Sequence, residues 1–162
     1  MLLWFLGTAL VSVWYVFTDP RFDYRLLLVG AILPDIIDVP FGRSAWPHSL
    51  TVAVGTLVLV MLVTAGRKPV RRLLLGLPIG MLLHLVWDGA FASTKVFWWP
   101  FGGGWGDTPV PSIDRAWPLA ALMEVAGVGM LAWAWRRFGL GDREARRRFL
   151  RSGVLVESWP ST

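Results

Sequence analysis

The sequence contains no cysteine and only two histidines, and only 17% of its 162 residues are charged. Without cysteine, disulfide bonds and thiolate metal sites are excluded, so a bound metal would need histidine, carboxylate, backbone or water ligands. The low charge is not the balance of an ordinary soluble domain. Because 55% of the residues are hydrophobic, the composition predicts a membrane protein with one domain.

The positive charges are unevenly placed. Seven of the sixteen basic residues lie between Arg136 and Arg151, directly after an apolar segment. Such a cluster indicates a topology signal or a contact with anionic lipid headgroups, so the net charge of +5 does not predict a nucleic-acid partner.

The apolar runs predict the fold: an all-α, polytopic membrane helical bundle with four or five transmembrane or re-entrant helices. We interpret residues 1–135 as the membrane-embedded domain that contains the metal site, and residues 136–162 as an Arg-rich cytoplasmic tail. The tail would carry a surface helix at about residues 142–151. The predicted helical segments are residues 2–17, 26–33 with their flanks, 49–65, 72–92 and 117–135.

Basic residues also predict the orientation. The connection GRKPVRR at residues 66–72 contains four of them, whereas residues 93–116 contain two. Dense basic clusters face the cytoplasm, which places residues 34–48 and 93–116 on the extracytoplasmic side.

Six ionisable residues then fall toward that same side of the membrane. Charged side chains within a bilayer cost roughly 3 kcal/mol or more and usually face a bundle interior, so these residues are expected to meet. Histidine and carboxylate ligands without thiolates favour a divalent cation, with Zn²⁺ first and Mn²⁺ or Fe²⁺ as alternatives. The six are Asp35 and Asp38 in LPDIIDVP, His48 in WPHS, His84 and Asp88 in HLVWD, and Glu124.

A metal ion in such a site would activate water, and one carboxylate outside its coordination shell would act as general base. Asp38 and Glu124 are the candidates for this catalytic role. Glu124 also has structural alternatives, since it would be stable if protonated or if paired with Arg115.

The other residues have structural alternatives too. His84 and Asp88 are four residues apart on one helix face and would also serve as a hydrogen-bonded pair between helices. Asp35 would cap a short helix after Pro34, and His48 would be an ordinary residue at the membrane boundary.

The segment FWWPFGGGWGD at residues 97–107 combines aromatic residues with glycines. It is interpreted either as a lid over the site or as an aromatic belt with a flexible connection.

These motifs together resemble a known family. The order LLxxGAILPDIID, WPHSL, HLVWDG and WWPF within residues 26–101 is similar to the YdjM-like family, bacterial and archaeal inner-membrane proteins described as membrane-bound metal-dependent hydrolases. The resemblance implies a multi-pass protein of the cytoplasmic (inner) membrane. It also implies metal-binding or catalytic roles for Asp35, Asp38, His48, His84 and Asp88.

The predicted function is therefore a membrane-bound metal-dependent hydrolase that cleaves a lipid or a lipid-linked phosphoester with a metal-activated water. The short His-x-x-x-Asp helix is also similar to that of zinc-dependent phospholipase C, which favours phosphoester cleavage. The alternatives are a non-enzymatic membrane protein whose polar cluster serves helix packing or ion binding and transport, and a regulatory partner protein that uses the Arg-rich tail.

Overall fold

A computed structural model of the chain describes residues 1–17, 22–38, 40, 44–93, 95–102 and 115–156. All regular structure in these ranges is helical, which confirms the predicted all-α class. Two short 3-10 helices, Trp46–His48 and Lys95–Trp98, accompany seven α-helices: α1 Leu2–Val16, α2 Tyr24–Asp38, α3 Leu50–Val63, α4 Lys68–Asp88, α5 Ala90–Ser93, α6 Trp117–Arg137 and α7 Arg143–Ser152.

Two of these helices, α4 and α6, are long and apolar enough to cross a membrane. The shorter α1 and α3 are also apolar, with 15 and 14 residues. Full spanning takes about 20 residues. A bundle of four or five spans therefore stays a prediction.

The helices α2 and α4 form the central pair, and they run parallel because α3 returns the chain between them. Glycines allow the close approach, since a Cβ on Gly80 would overlap the backbone of α2 near Leu27 and Ala31. Gly76 and Gly80 are four residues apart, so both lie on the face of α4 that contacts α2. Small residues at this spacing are typical of tightly packed membrane helices.

The helices α1 and α6 form a second parallel pair. Gly127 on α6 lies against the backbone of Leu3 and Trp4 at the start of α1. Near the other end of the pair, Trp14 stacks edge-on against Trp133 with ring centroids 4.9 Å apart. Contacts between α1 and both α2 and α4 join the two pairs.

This arrangement gives the molecule two different ends. At the histidine end, α1, α3 and α6 begin and α2 and α4 end. At the basic end lie the starts of α2 and α4, the ends of α1, α3 and α6, and the helix α7. Twelve basic residues belong to the basic end: Arg25, Arg67, Lys68, Arg71, Arg72, Arg136, Arg137, Arg143, Arg146, Arg147, Arg148 and Arg151.

The Arg-rich segment packs onto the bundle at that basic end. The Arg25 guanidinium donates hydrogen bonds of 3.0 Å to the carbonyls of Leu150 and Arg151 at the end of α7. Leu155, further along, is buried in the same core cluster as Leu27. Residues 143–156 are therefore attached to the helical body. Residues 157–162 lie outside the described ranges.

Candidate metal centre

Three side chains from three separate segments converge at the histidine end. Asp35 is on α2, His48 closes the 3-10 turn before α3, and His84 is on the last turn but one of α4. The two Nε2 atoms are 3.3 Å apart. Oδ1 of Asp35 lies 3.5 Å from Nε2 of His48 and 3.6 Å from Nε2 of His84.

His84 is held by the backbone of α2. Its Nδ1–H donates a 2.8 Å hydrogen bond to the carbonyl of Ala31, which requires the proton on Nδ1 because a carbonyl only accepts. The bond lies at a turn where the helix ladder is interrupted, since Pro34 has no N–H to donate to Gly30. The ring of Phe5 packs on His84 with centroids 4.1 Å apart. Nε2 is therefore directed away from its anchor and toward Asp35 and His48.

His48 is held in the same way by Asp38. Its Nδ1 donates a 2.7 Å hydrogen bond to Oδ2 of Asp38, and the same oxygen accepts from the backbone N–H of Ala45 at 2.7 Å. Both side chains are fully buried. A carboxylate behind a histidine in this manner fixes the ring and raises the basicity of the opposite nitrogen, as in many metal sites.

The facing Nε2 atoms require something between them. With both Nδ1 atoms protonated, two neutral imidazoles would direct their lone pairs at each other across 3.3 Å. A proton or a metal ion relieves this repulsion. Burial lowers the pKa of His48, but the carboxylates of Asp35 and Asp38 outweigh it and raise the pKa to about 9. In the metal-free protein, a proton on His48 therefore occupies the position that a cation would take.

The geometry fits one divalent ion. Atoms bound to a tetrahedral ion at 2.0–2.1 Å are about 3.4 Å apart, which is close to the three distances of 3.3, 3.5 and 3.6 Å. Two histidines and one carboxylate are the protein ligands of several catalytic zinc sites and of non-haem iron sites, both of which keep a position for water or substrate. Asp35, His48 and His84 could therefore hold a metal ion.

Asp88 lies beside this group rather than in it. Its carboxylate is 3.6 Å from the guanidinium of Arg115, which also donates a 2.7 Å hydrogen bond to the backbone carbonyl of Asp88. Both carboxylate oxygens are buried and have no hydrogen-bond partner among the residues that the structure describes. The charge of Asp88 still interacts with those of Asp35 and His48.

Glu124 is placed elsewhere. Its Oε2 accepts hydrogen bonds from the backbone N–H groups of Leu3 at 2.9 Å and Trp4 at 3.3 Å, and its Oε1 is 3.6 Å from the Met1 ammonium. These are the contacts of a carboxylate that caps the first turn of α1. The structure pairs Arg115 with Asp88 and not with Glu124.

The charges around the centre favour a divalent ion. With the buried or half-buried carboxylates of Asp35, Asp38 and Asp88 ionised, the centre holds three negative charges against the one positive charge of Arg115. With both histidines neutral, two negative charges remain in a region with little water. A divalent cation would balance them, which is how metal sites tolerate several carboxylates close together.

The sequence identified the three converging residues and Asp38, but it predicted Asp38 as a ligand or base and not as the partner that anchors His48. The Ala31 carbonyl has no signal in the sequence, and Arg115 was considered only as a partner of Glu124. Of the predicted lid at residues 97–107, the structure describes residues 97–102. Thr51 on α3 donates a 2.7 Å hydrogen bond to the carbonyl of Trp99 in this part. The rest of the predicted lid, residues 103–107, lies outside the described residues.

Comparison with protein-family models, with curated proteins and with solved structures finds no match for this chain. The similarity to the YdjM-like family therefore stays a prediction, and the chemistry of the site has to be argued from its own residues.

Proposed function

We propose that this protein is a membrane-embedded, metal-dependent hydrolase whose ion is held by Asp35, His48 and His84. The observation that carries the proposal is the pair of Nε2 atoms 3.3 Å apart, each on a ring whose other nitrogen is anchored. Here both rings are turned toward a common point beside a carboxylate.

Exposed apolar surface supports a position in the membrane. In α6 only 11% of an 18-residue apolar stretch is buried. Leu122 and Val125 on this helix are about two-thirds exposed. In α3, Leu59 and Leu62 are similarly exposed. Soluble monomers rarely expose contiguous apolar patches of more than a few hundred Å², so these faces suit contact with lipid. We propose spans at α1, α2, α3, α4 and α6.

The distribution of charge supports the side on which the site lies. The basic end carries the twelve basic residues named above, whereas Lys95 and Arg115 are the basic residues described at the histidine end. Under the positive-inside rule the basic end faces the cytoplasm. We propose that the protein lies in the cytoplasmic membrane with its metal site toward the extracytoplasmic face.

The roles of the residues follow from their contacts. When bound, a divalent cation supplies Lewis acidity and makes a coordinated water acidic enough to lose its proton near neutral pH. Asp38 keeps His48 in the tautomer that leaves Nε2 free, and the Ala31 carbonyl does the same for His84. We assign proton acceptance to Asp88, because its two buried oxygens have no hydrogen-bond partner among the described residues.

The proposed reaction is hydrolysis of a phosphoester. The water oxygen bonds to phosphorus, the bond between phosphorus and the alcohol oxygen breaks, and Asp88 returns its proton to the leaving alkoxide. Arg115 lies 3.6 Å from the carboxylate of Asp88 and favours its charged form.

Transport of an ion is the less favoured function. The core between the histidine end and the basic end is built from apolar residues such as Leu10, Val13 and Leu27. In the part of the chain that the structure describes, no acid, base or histidine links the two ends. A conducting or relay path would need such groups.

The test uses detergent-purified protein loaded with Zn²⁺ or Mn²⁺ and a chromogenic phosphodiester, bis-p-nitrophenyl phosphate. Wild type should bind about one metal ion per chain and cleave the probe. Asp88→Asn should keep the metal and lose activity by about 10²–10⁴-fold, as for removal of a general base. Loss of metal in Asp88→Asn would make it a ligand instead, and a wild type that binds no metal would refute the proposal.

A further inference from the structure

A cleft between α1 and α2 reaches the metal centre from the side of the bundle. Its volume is about 300 Å³, and Asp35 provides the polar side chain in a lining that is otherwise apolar. The apolar lining residues are Met1, Leu2, Phe5, Ile32, Ile36 and Pro40.

A substrate can reach the metal centre from the side on which Asp35 lies. Its side chain is 16% exposed, whereas those of His48 and His84 are fully buried. Phe5 belongs both to the cleft and to the packing around His84. A molecule in the cleft would therefore meet Asp35 first and lie against the ring that covers His84.

The lining selects against a polar molecule. A polar group that left water for these walls would find few hydrogen-bond partners, which costs free energy. Leu2 and Ile36 are 50% and 56% exposed, so the apolar lining continues onto the outer surface of the bundle. If α1 and α2 span the membrane, that surface faces acyl chains.

We infer that the cleft between α1 and α2 binds one hydrocarbon chain of a membrane lipid and places the adjoining phosphoester at Asp35. The inference rests on the proposed function and specifies its substrate class: an amphiphile that enters from the bilayer rather than a water-soluble phosphoester. The cleft is continuous with the lipid-facing surface on one side and with a metal ligand on the other, and this continuity is the reason for naming a lipid as the occupant.

A larger apolar cavity offers a matched control. It has a volume of about 720 Å³ and lies between α3 and the segment 97–102, with Val54 and Trp98 in its lining. None of the three proposed ligands lines it. If apolar volume alone decided where a lipid binds, this cavity would be occupied first.

The experiment compares Ile36→Trp, which fills the cleft, with Val54→Trp, which fills the larger cavity. Both residues are exposed, 56% and 41%, so the core is not disturbed. Each protein is loaded with Co²⁺, whose visible spectrum reports binding of a phosphate group at the metal. The probes are dodecyl phosphate and methyl phosphate, titrated in one detergent so that partition into micelles is the same for every protein.

Each methylene that enters the cleft should improve binding about fourfold. Wild type and Val54→Trp should therefore prefer dodecyl over methyl phosphate by about 100-fold or more. Ile36→Trp should lose more than tenfold of that preference while binding methyl phosphate and Co²⁺ as wild type does. If Ile36→Trp does not fold, Leu2→Trp on the opposite wall makes the same test.

An unchanged preference in Ile36→Trp, or a preference lost in Val54→Trp instead, would overturn the inference. Equal binding of the two probes by wild type would also overturn it, and would leave a metal enzyme for polar substrates. A wild type without a Co²⁺ spectrum would refute the metal site itself and, with it, the lipid cleft.

Discussion

The two ends of this bundle both carry many charged side chains, but several of these are buried at the histidine end and most are exposed at the basic end. At the histidine end, Asp38, His48, His84 and Asp88 are buried, at most 1% exposed, and each ring has a named hydrogen-bond partner. At the basic end, the arginines at positions 143, 147, 148 and 151 are exposed on one short helix. A charge that leaves water needs a partner at a defined distance, whereas an exposed charge does not.

The difference separates two kinds of function. A buried, anchored set of groups can recognise one ion, because its geometry is fixed before the ion arrives. An exposed arginine face can only attract anionic surfaces such as phospholipid headgroups, with a strength that depends on salt. A single substitution at the histidine end should therefore weaken metal binding strongly. A substitution at the basic end should leave metal binding unchanged.

The largest expected effect is that of His84→Ala. It removes a proposed ligand, so metal affinity should fall by more than 100-fold, beyond the 10- to 100-fold loss typical of partners behind a ligand. Equilibrium dialysis followed by elemental analysis measures this. Arg148→Gln at the basic end is the control and should bind metal as wild type does. Equal metal affinity in the two variants would contradict the proposal that the histidine end, and not the basic end, binds the metal.

Asp38→Asn should have a smaller effect. The amide keeps the shape of the side chain but is a weaker acceptor for His48, so metal affinity should fall by about 10- to 100-fold without being lost. Asp142→Asn, at the start of α7, is the matched change at the basic end and should leave affinity unaltered. Complete loss of metal in Asp38→Asn would make Asp38 a direct ligand, as the sequence also allowed.

Gly80→Ala tests the close packing between α2 and α4. Its Cβ would overlap the backbone of α2, and such overpacking costs about 1–3 kcal/mol of stability. Gly55→Ala on α3 meets no atom within 4 Å and should be neutral or slightly stabilising, because alanine favours helix. Thermal unfolding in detergent separates the two variants. A lower midpoint for Gly55→Ala than for Gly80→Ala would contradict the close contact between α2 and α4.

The smallest single step is a change of one pH unit. Because the pKa of His48 is raised to about 9 in the metal-free protein, His48 carries a proton at pH 7 that an ion must displace. Apparent metal affinity should therefore rise about tenfold per pH unit from pH 6 to 8 and level off above pH 9. A chelator competition assay at several pH values measures the slope. A flat profile in this range would show that the ion displaces no proton from His48.

Much of the fold could be predicted from hydrophobic runs. The predicted segments at residues 49–65, 72–92 and 117–135 agree with α3, α4 and α6 within a few residues. The run at residues 26–33 is too short alone, but with its predicted flanks it agrees with α2, which continues through Pro34 to Asp38. A proline removes one helical hydrogen bond, and the glycines of α4 pack against α2 just before it, at Leu27 and Ala31.

The site was predictable in part, for a physical reason. Helix order and the positions of basic residues placed Asp35, His48 and His84 at one end together with Asp38, Asp88 and Glu124, which predicted the end but not which of the six side chains converge. The roles of Asp38, Asp88 and Glu124 depend on side-chain distances of a few ångströms, which no periodicity encodes. The backbone carbonyl that orients His84 comes from an alanine, so residue type carries no information about it.

The placement of all three proposed ligands at one end of the helices would also make the protein asymmetric in its effect on a membrane. It would hydrolyse molecules in one monolayer and leave identical molecules in the other untouched. Its products would accumulate on that side until they flipped across or were carried away, so its activity would change the balance of area between the two monolayers as well as their composition.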